Sequence, residues 1–409
     1  MIEICLLVAV MAVGVPIAVL FIECCAALLP ARRRELPTVD RRPSFDVLIP
    51  AHDEAAVIEA TLAWLRPQLV VGDRIVVVAD NCRDATADLA RAAQATVVER
   101  FNLVQRGKGY ALSHGVRSME AAPREVVIVV DADCEVRPGS LERLARAAAA
   151  TGRPVQGTYL MQCPADPSPR DLVSELAVTT KNLVRKRGAD RLGAPCVLNG
   201  SGMAFPWPLI RDAELASGDL VEDLELTFKL LVNRQAPLFC PEAVILAPLP
   251  KQRNAALSQR TRWEHGHLQT LLRLVPRLFA QGVAQRRADL FAAAVDLAVP
   301  PVSLLAVAWG GVSLLAIAAV LLDLGTKPAV AAIVTGILLA SSILVPLVGF
   351  QRRMSFWKTL AAVPLYVYSK LPIYANFLLR RQQTWVRTQR DTAAVVHPSE
   401  PRLQRRVPA

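Results

Sequence analysis

Val126-Val127-Ile128-Val129-Val130 runs directly into Asp131-Ala132-Asp133, and the reading of this junction decides the fold. Five consecutive β-branched residues describe a strand buried on both faces, the kind found in parallel sheets. In open α/β sheets ligands bind beyond the carboxyl ends of the strands, which is where the two acids fall. With the backbone extended there, residues i and i+2 project to one side, so Asp131 and Asp133 can face a single ligand. Two carboxylates so placed repel unless a cation separates them, and a hard divalent ion shared with substrate phosphates meets that need. Asp-Xaa-Asp after a strand is common, so the surrounding sequence has to carry the rest.

Upstream, a strand–helix rhythm leads into the junction. Phe45–Ile49 reads as a strand closed by Pro50, Ala55–Leu65 as a helix, and Arg74–Ala79 as a second strand. A helix capped by Asp84 runs to Gln94, Thr96–Val98 is a third strand, and Lys108–Ala122 is a further helix. Alternation at this spacing predicts a doubly wound, mostly parallel α/β sheet. The first strand is followed by Ala51-His52-Asp53-Glu54 instead of G-x-G-x-x-G, which removes the main support for a dinucleotide oxidoreductase. Downstream, residues 155–250 are less periodic. They contain Gly200-Ser201-Gly202, an acidic cluster at Asp219–Glu225, and strand-like Pro237–Cys240 and Ala243–Leu246. From Ala255 the pattern turns helical, carrying Gln259-Arg260-Thr261-Arg262-Trp263 and then an amphipathic stretch, Leu268–Phe279, that suits a membrane surface.

A mean hydropathy of +0.33 is too apolar for a purely soluble enzyme of 409 residues. Ile4–Leu29 is interrupted only by Glu23, while Leu297–Leu322 and Ala329–Phe350 carry no charge. Each exceeds the roughly 20 residues that span a bilayer as a helix, giving three expected spans. Arg32-Arg33-Arg34 after the first, Arg286-Arg287 before the second and Arg352-Arg353 after the third place those ends in the cytoplasm. Glu3 stands where a signal peptide would be basic, so the first span reads as a retained anchor. Phe356–Leu379 contains Lys358, Pro364, Lys370 and Pro372, and residues 380–409 hold seven arginines against two acids. An interfacial or re-entrant segment keeps that basic tail in the cytoplasm. The net charge of +11 then reflects contact with anionic lipid, and no nucleic-acid motif accompanies it. The eight cysteines form no CxxC pair and read as free thiols.

The expected organisation is therefore an N-terminal transmembrane helix (1–30), a linker (31–44) and a cytoplasmic α/β domain (45–254). Interfacial helices (255–287), two transmembrane helices (288–350), the interfacial or re-entrant segment (351–380) and the basic tail (381–409) follow. The localisation is a multi-pass inner-membrane protein with its active domain in the cytoplasm.

Taken in order, Pro50–Glu54, Asp80, Lys108, Asp131-Ala132-Asp133, Glu222-Asp223 and Gln259–Trp263, with apolar spans on both sides, resemble the membrane-bound family-two glycosyltransferases. That group includes cellulose, hyaluronan and poly-N-acetylglucosamine synthases and the chitin-oligosaccharide synthases of nodulation. The resemblance covers about residues 40–380, and the Gln-Xaa-Xaa-Arg-Trp string is its most specific part. It implies a glycosyltransferase A-type, Rossmann-like fold. His52, Asp53, Glu54 and Asp80 would hold the base and ribose of a nucleotide sugar, and Lys108 would sit near its phosphates. Asp131 would position the donor, and Asp133 would bind Mg²⁺ or Mn²⁺. Asp223 would be the general base with Glu222 beside it, while Gln259, Arg260, Arg262 and Trp263 would close over the diphosphate and acceptor. Two departures stand out: Val221 replaces the threonine usual before Glu-Asp, and His52 stands where an aromatic ring is frequent.

These roles are chemically sound. A sugar hydroxyl needs a carboxylate to take its proton, a departing diphosphate needs positive charge, and guanidinium forks meet phosphate oxygens in pairs. Singly, each motif has a plain alternative. Glu222-Asp223 can be a solvated turn, Lys108 a surface loop, and Trp263 a membrane anchor. His265 and His267 are two apart on a helix and do not share a face, so they are set aside as metal ligands. The joint reading is an inverting transferase that adds sugar from a UDP-sugar to a growing β-linked exopolysaccharide or capsule glycan. Its partners are the donor, a glycan or lipid-linked acceptor, and membrane lipids; a homodimer or export partner would supply a pore that three spans make only sparsely. The alternatives are a single-transfer enzyme acting on a lipid carrier or glycolipid, and a non-catalytic nucleotide-binding membrane subunit.

Overall fold

The computed structural model describes residues 1–30, 37, 39–218, 221–250, 253–350 and 356–379. The arginines at 32–34 and 352–353, the acid Asp219 and the basic tail beyond 380, all used above, lie outside these residues. In chain order the elements begin with α1 (Ile2–Ala26), β1 (Phe45–Ala51), α2 (Ile58–Leu65), β2 (Arg74–Asp80), α3 (Thr86–Ala92), β3 (Thr96–Arg100) and α4 (Lys108–Met119). They continue with β4 (Val126–Val129), β5 (Glu135–Val136), α5 (Ser140–Thr151), β6 (Val155–Gln162), α6 (Pro169–Thr179), α7 (Lys186–Leu192), β7 (Met203–Pro206), α8 (Trp207–Arg211), α9 (Glu222–Val232) and β8 (Leu238–Pro248). The last are α10 (Arg253–Gln285), α11 (Ala288–Leu297), α12 (Val302–Leu321), α13 (Lys327–Gly349) and α14 (Phe356–Leu379). The described residues divide into two compact units, one within 39–164 and 195–263, the other within 1–30, 165–194 and 264–379.

The first unit is built on an eight-stranded sheet of order β3-β2-β1-β4-β7-β6-β8-β5. Strands β1 to β4 are the parallel half that the sequence rhythm predicts, with β1 between β2 and β4. All four residues of β4 are buried, as its β-branched composition requires. The other half is mixed: β7 runs antiparallel to β4 and β6, and β8 runs parallel to β6. The two strand-like runs expected at 237–246 are one strand, β8, interrupted by a bulge opposite Gly157/Thr158. Leu48, Val78, Val127 and Val129 from the sheet pack with Leu112, Val116 and Met119 of α4 in a continuous core. At the entry of β1, fully buried Asp46 accepts two hydrogen bonds of 2.8 Å from the paired Arg74, which offsets the cost of burying its charge.

The second unit gathers the apolar helices. α1, α12 and α13 are each long and apolar enough to cross a membrane. Glu3 at the start of α1 meets the α12–α13 turn at Lys327, and Cys24 near its end meets Ser342 of α13, so α1 and α13 run in the same direction. Residues 165–194 belong with these helices. Their Arg185 donates to Glu23 Oε2 at 2.6 Å and to Asp296 Oδ1 at 2.7 Å, which explains the one acid inside the first apolar run. Gly188 fits there because a Cβ would stand 1.9 Å from the Glu23 carbonyl oxygen. The stretch Thr180–Arg185 that carries Arg185 winds as a π-helix, a form that often marks a constrained position.

Candidate active site

The carboxyl ends of β1, β2 and β4 all carry polar groups, as an open α/β sheet leads one to expect. Beyond β1 the chain turns sharply, with Asp53 in the left-handed region at φ 53°. Asp53 Oδ1 accepts from Arg83 N at 2.6 Å, and Glu54 N donates to Thr86 Oγ1 at 2.8 Å. The Nδ1–H of His52 donates to the Asp80 carbonyl at 2.6 Å, so this loop is tied to the end of β2. Asp80 itself is paired: Arg100 Nη1 donates to its Oδ1 at 2.6 Å and Asn81 Nδ2 at 3.1 Å. Arg100, at the end of β3, also donates to Gln105 O and lies over the Tyr110 ring. Sequence reading missed Arg100, whose signal is its register opposite Asp80 in neighbouring strands. Asp53, Cys82 and Asp84 also place ligand-type atoms close together. Asp84, however, accepts from Thr86 N and Ala55 N, and Asp53 from Arg83 N, so these acids order the turns.

The central feature is the ammonium of Lys108, the first residue of α4. Its Nζ bonds Asp131 Oδ1, donates to Gly200 O at 2.7 Å and stands 4.0 Å from Glu222 Oε1. Asp223 follows Glu222 in the first turn of α9, where the orphan N–H groups of a helix start favour negative charge. Asp223 Oδ1 accepts from Leu224 N at 3.0 Å. Gly200 fits between these groups: at φ +81° its absent Cβ would stand 3.3 Å from Lys108 Nζ and 3.6 Å from Asp223 Oδ2. Gly109, one residue into α4, is equally constrained, since a Cβ would meet Leu215 O at 2.4 Å. Thus the segment before α9 lies directly on the start of α4 and carries Glu222 and Asp223 toward Lys108.

Two further residues support this cluster. Ser201 Oγ accepts from Asp131 N at 3.1 Å and lies 3.4 Å from Cys134 Sγ. Gln156, fully buried in β6, donates to Ser201 O at 2.9 Å and accepts from Asn199 N at 2.8 Å. It therefore holds the 199–202 loop in place beneath Lys108. A lone glutamine inside a strand was the available clue.

Burial, reinforced by the charge of Asp223 and opposed by Lys108, raises the Glu222 carboxyl from 4.5 to about 7. Burial works against the Lys108 ammonium, but Asp131 and Glu222 hold it above its ordinary range, so it stays charged. The donor atoms of Asp131, Asp133 and Cys134 all lie within 4.8 Å of one another. Burial, with Asp133 and Asp131 adding, keeps the Cys134 thiol well above its ordinary value, so the available ligands are carboxylate oxygens. That set fits a hard divalent cation. Lys108 bonds Oδ1 of Asp131, and Asp133 with the second Asp131 oxygen are the carboxylate oxygens that would hold such an ion.

The structure therefore brings Lys108, Asp131, Glu222 and Asp223 together around Gly200, with Asp133 two residues along and His52 tied to Asp80 at the neighbouring strand ends. Gln259, Arg260, Arg262 and Trp263 occupy a different element, α10, where Gln259 is buried and the other three are half-buried.

Residues 43–266 match the family described as "Glycosyltransferase like family 2". The "Uncharacterized glycosyltransferase YaiP" of Escherichia coli (strain K12) is 27% identical over 248 residues, 56% of this chain and 58% of that protein. The match thus spans little more than half of that relative's length. Among solved structures, the mannosyltransferase PcManGT from Pyrobaculum calidifontis, in complex with GDP-Man and Mn²⁺, is similar over 89% of this chain and 98% of that one, with a TM-score of 0.53 at 20% identity. This is a likeness of fold, and it agrees with the glycosyltransferase A-type architecture, extended by apolar helices, that the sequence implied.

Proposed function

The chain belongs to the glycosyltransferase-like family 2, and from that premise we propose that it is a membrane-embedded, inverting, metal-dependent enzyme. It transfers sugar from a UDP-sugar to a growing β-linked glycan of the exopolysaccharide or capsule class, working at the cytoplasmic face of the inner membrane. One observation carries the reading: Lys108 joins Asp131, at the donor end, to Glu222 beside Asp223, at the acceptor end.

In this mechanism Asp223 takes the proton of the acceptor hydroxyl as its oxygen attacks the anomeric carbon. The bond from that carbon to the diphosphate breaks, and attack from the opposite face inverts the configuration. Lys108, already charged and held in place by Asp131 and Gly200 O, faces the negative charge developing on the leaving group. Arg260 and Arg262 add guanidinium donors, Gln259 a hydrogen bond, and Trp263 a broad apolar face for the acceptor ring. His52, Asp53, Glu54 and Asp80 hold the nucleoside, with Arg100 fixing the Asp80 carboxylate. Asp133 and Asp131 would hold a Mg²⁺ or Mn²⁺ ion, which when bound would supply Lewis-acid stabilisation to the diphosphate.

A second reading, single transfer to a lipid-linked acceptor, is favoured by the close packing of the three long apolar helices. A Cβ on Gly14 of α1 would lie 2.8 Å from Thr335 of α13, and one on Gly336 would lie 2.4 Å from Trp309 of α12. Helices this close leave little room between them for a glycan. One assay separates the two readings and tests both. Purified protein in lipid is offered a panel of radiolabelled nucleotide sugars, and the products are sized. A ladder supports polymerisation and a single lipid-soluble product supports one transfer. Asp223→Asn should abolish either product while nucleotide binding survives, and full activity in that variant removes Asp223 as the base.

A further inference from the structure

In α10 the string Gln259–Trp263 continues without a break into Glu264, His265, His267 and Leu268, and these four residues fasten the helix. Glu264 bonds Lys370 of α14 through Oε1, and its Oε2 accepts from Tyr374 Oη at 3.2 Å. Ser303, in the first turn of α12, donates in turn to Tyr374 Oη at 2.6 Å. His265 Nε2–H donates to Ile373 O at 2.9 Å, and His267 Nε2–H donates to Val299 O at 3.3 Å. Leu268 packs with Tyr374 and Phe377 of α14. The two histidines set aside as metal ligands thus each bind α10 to a neighbouring backbone.

The helix period gives this grip a direction. At about 100° per residue, Glu264 and Leu268 lie one turn apart along one line of α10, and His265 and His267 flank it on either side. Counting back along the same period puts Gln259, Arg262 and Trp263 on the opposite side of the helix. A rotation of α10 in its grip would turn those three side chains by the same angle.

The choice of an ion pair here is informative. The Lys370 and Glu264 side chains are only 4% and 12% exposed, and Lys370 Nζ lies 5.3 Å from the centre of the Tyr366 ring. Apolar residues of similar size would hold the helices together about as firmly, because desolvating two charges offsets most of their attraction. What the charges add is direction. Apolar contacts tolerate rotation and slippage. A carboxylate that meets an ammonium on one oxygen and a hydroxyl on the other has one placement.

We propose that Glu264, with Lys370 and Tyr374, is a positioning group for sugar transfer. It sets the rotation of α10 and so the aim of Gln259, Arg262 and Trp263, a role that rests on the reading in which this string closes over the diphosphate and acceptor. Glu264 acts through the string and not on the substrate.

The test compares the full chain in lipid with the double variant Glu264→Leu, Lys370→Met, which removes both charges together and keeps apolar packing. Turnover with the panel of radiolabelled nucleotide sugars, binding of UDP and the thermal melt are measured side by side. The double variant should melt with the parent or above it. It should bind UDP within about twofold of the parent while turnover falls about tenfold to a hundredfold, the effect of a misplacement near 1 Å. Parental turnover in a double variant that melts with the parent overturns the proposal. If the double variant melts well below the parent, the exchange Glu264→Lys with Lys370→Glu decides. Each single change should lose turnover and the exchanged pair should regain most of it, whereas a pair no better than its singles overturns the proposal. Arg262→Ala and Trp263→Ala check the premise. If they lose turnover and the double variant does not, only the positioning role falls. If they keep parental turnover, the reading of the string falls and the positioning role with it.

Discussion

Replacing Lys108 by Met removes an ammonium that meets Asp131 and stands close to Glu222 while keeping most of its aliphatic stem. Lys108 Nζ contacts Asp131 and stands 4.0 Å from Glu222. At that separation two charges interact by about 4 kcal/mol at an effective dielectric of 20. The Lys108 and Asp131 side chains are 20% and 27% exposed, so solvent screens part of this. Between the 3–5 kcal/mol for breaking a buried pair and the 0–1 kcal/mol for a surface pair, the expected stability loss is about 1–3 kcal/mol. Transfer should suffer more: losing one preorganised group aimed at developing charge costs about 10²–10³ in turnover. The assay is kcat with radiolabelled donor in lipid, with a thermal melt run alongside. Lys108→Arg should recover part of the stability but less of the turnover, because a planar fork cannot reproduce the bonds to both Asp131 and Gly200 O. If Lys108→Met keeps its turnover and melts with the parent protein, the central role given to this residue is wrong.

Chelation should stop transfer, and Mn²⁺ or Mg²⁺ should restore it; turnover that persists in chelator removes the metal role of Asp133. Gln156→Leu should cost about 1–3 kcal/mol for each stranded partner, since Asn199 N and Ser201 O lose their contacts; an unchanged melting temperature would show that the 199–202 loop is held some other way. The Glu222 carboxyl, raised from 4.5 to about 7, binds its proton more tightly in the folded than in the unfolded chain. Its contribution is therefore fully present below about pH 4.5 and is lost as pH rises through about 7. Glu222→Gln should flatten the decline in stability across that window, and a decline of unchanged slope would assign it to another group.

Strands β1 to β4 were legible because their apolar runs are short, β-branched and punctuated by acids, so periodicity and chemistry agree. β6 was not, because its sequence Val-Gln-Gly-Thr-Tyr-Leu-Met-Gln mixes polar residues into a buried strand. Gln156 and Thr158 are fully buried and satisfied by hydrogen bonds, which a hydrophobic pattern does not reveal. The basic run Lys181–Arg187 carries no signal in the sequence of where its charges are matched. In the structure Arg185 is drawn inward by Glu23 and Asp296, 162 and 111 residues away in sequence. The lysines and prolines of Phe356–Leu379 set it apart from the three spans in the sequence, but the burial of Thr359, Lys370 and Tyr374 shows only in three dimensions. The acidic motifs themselves were legible, but their convergence on Lys108 was not, because it depends on Gly109 and Gly200 letting backbone segments approach α4.

That convergence has a consequence for charge. Asp131, Asp133, Glu222 and Asp223 lie around the Lys108 ammonium, and the rise in the Glu222 carboxyl, driven by burial and the charge of its neighbours, is part of the protein's answer to that crowding. A region rich in carboxyl groups attracts a doubly charged ion. In the proposed mechanism it would repel a diphosphate until such an ion arrived, which would make metal and donor binding interdependent. Lys108 would then have two tasks that pull in opposite directions: to weaken the field enough for the diphosphate to enter, yet leave enough negative charge to hold the ion. Its attachment to Asp131 and Gly200 O would set that balance, because it commits the ammonium to one oxygen of the acid two residues before Asp133. The same attachment sets the Lys108 charge beside Asp223, the carboxylate that in the proposed mechanism would accept the proton.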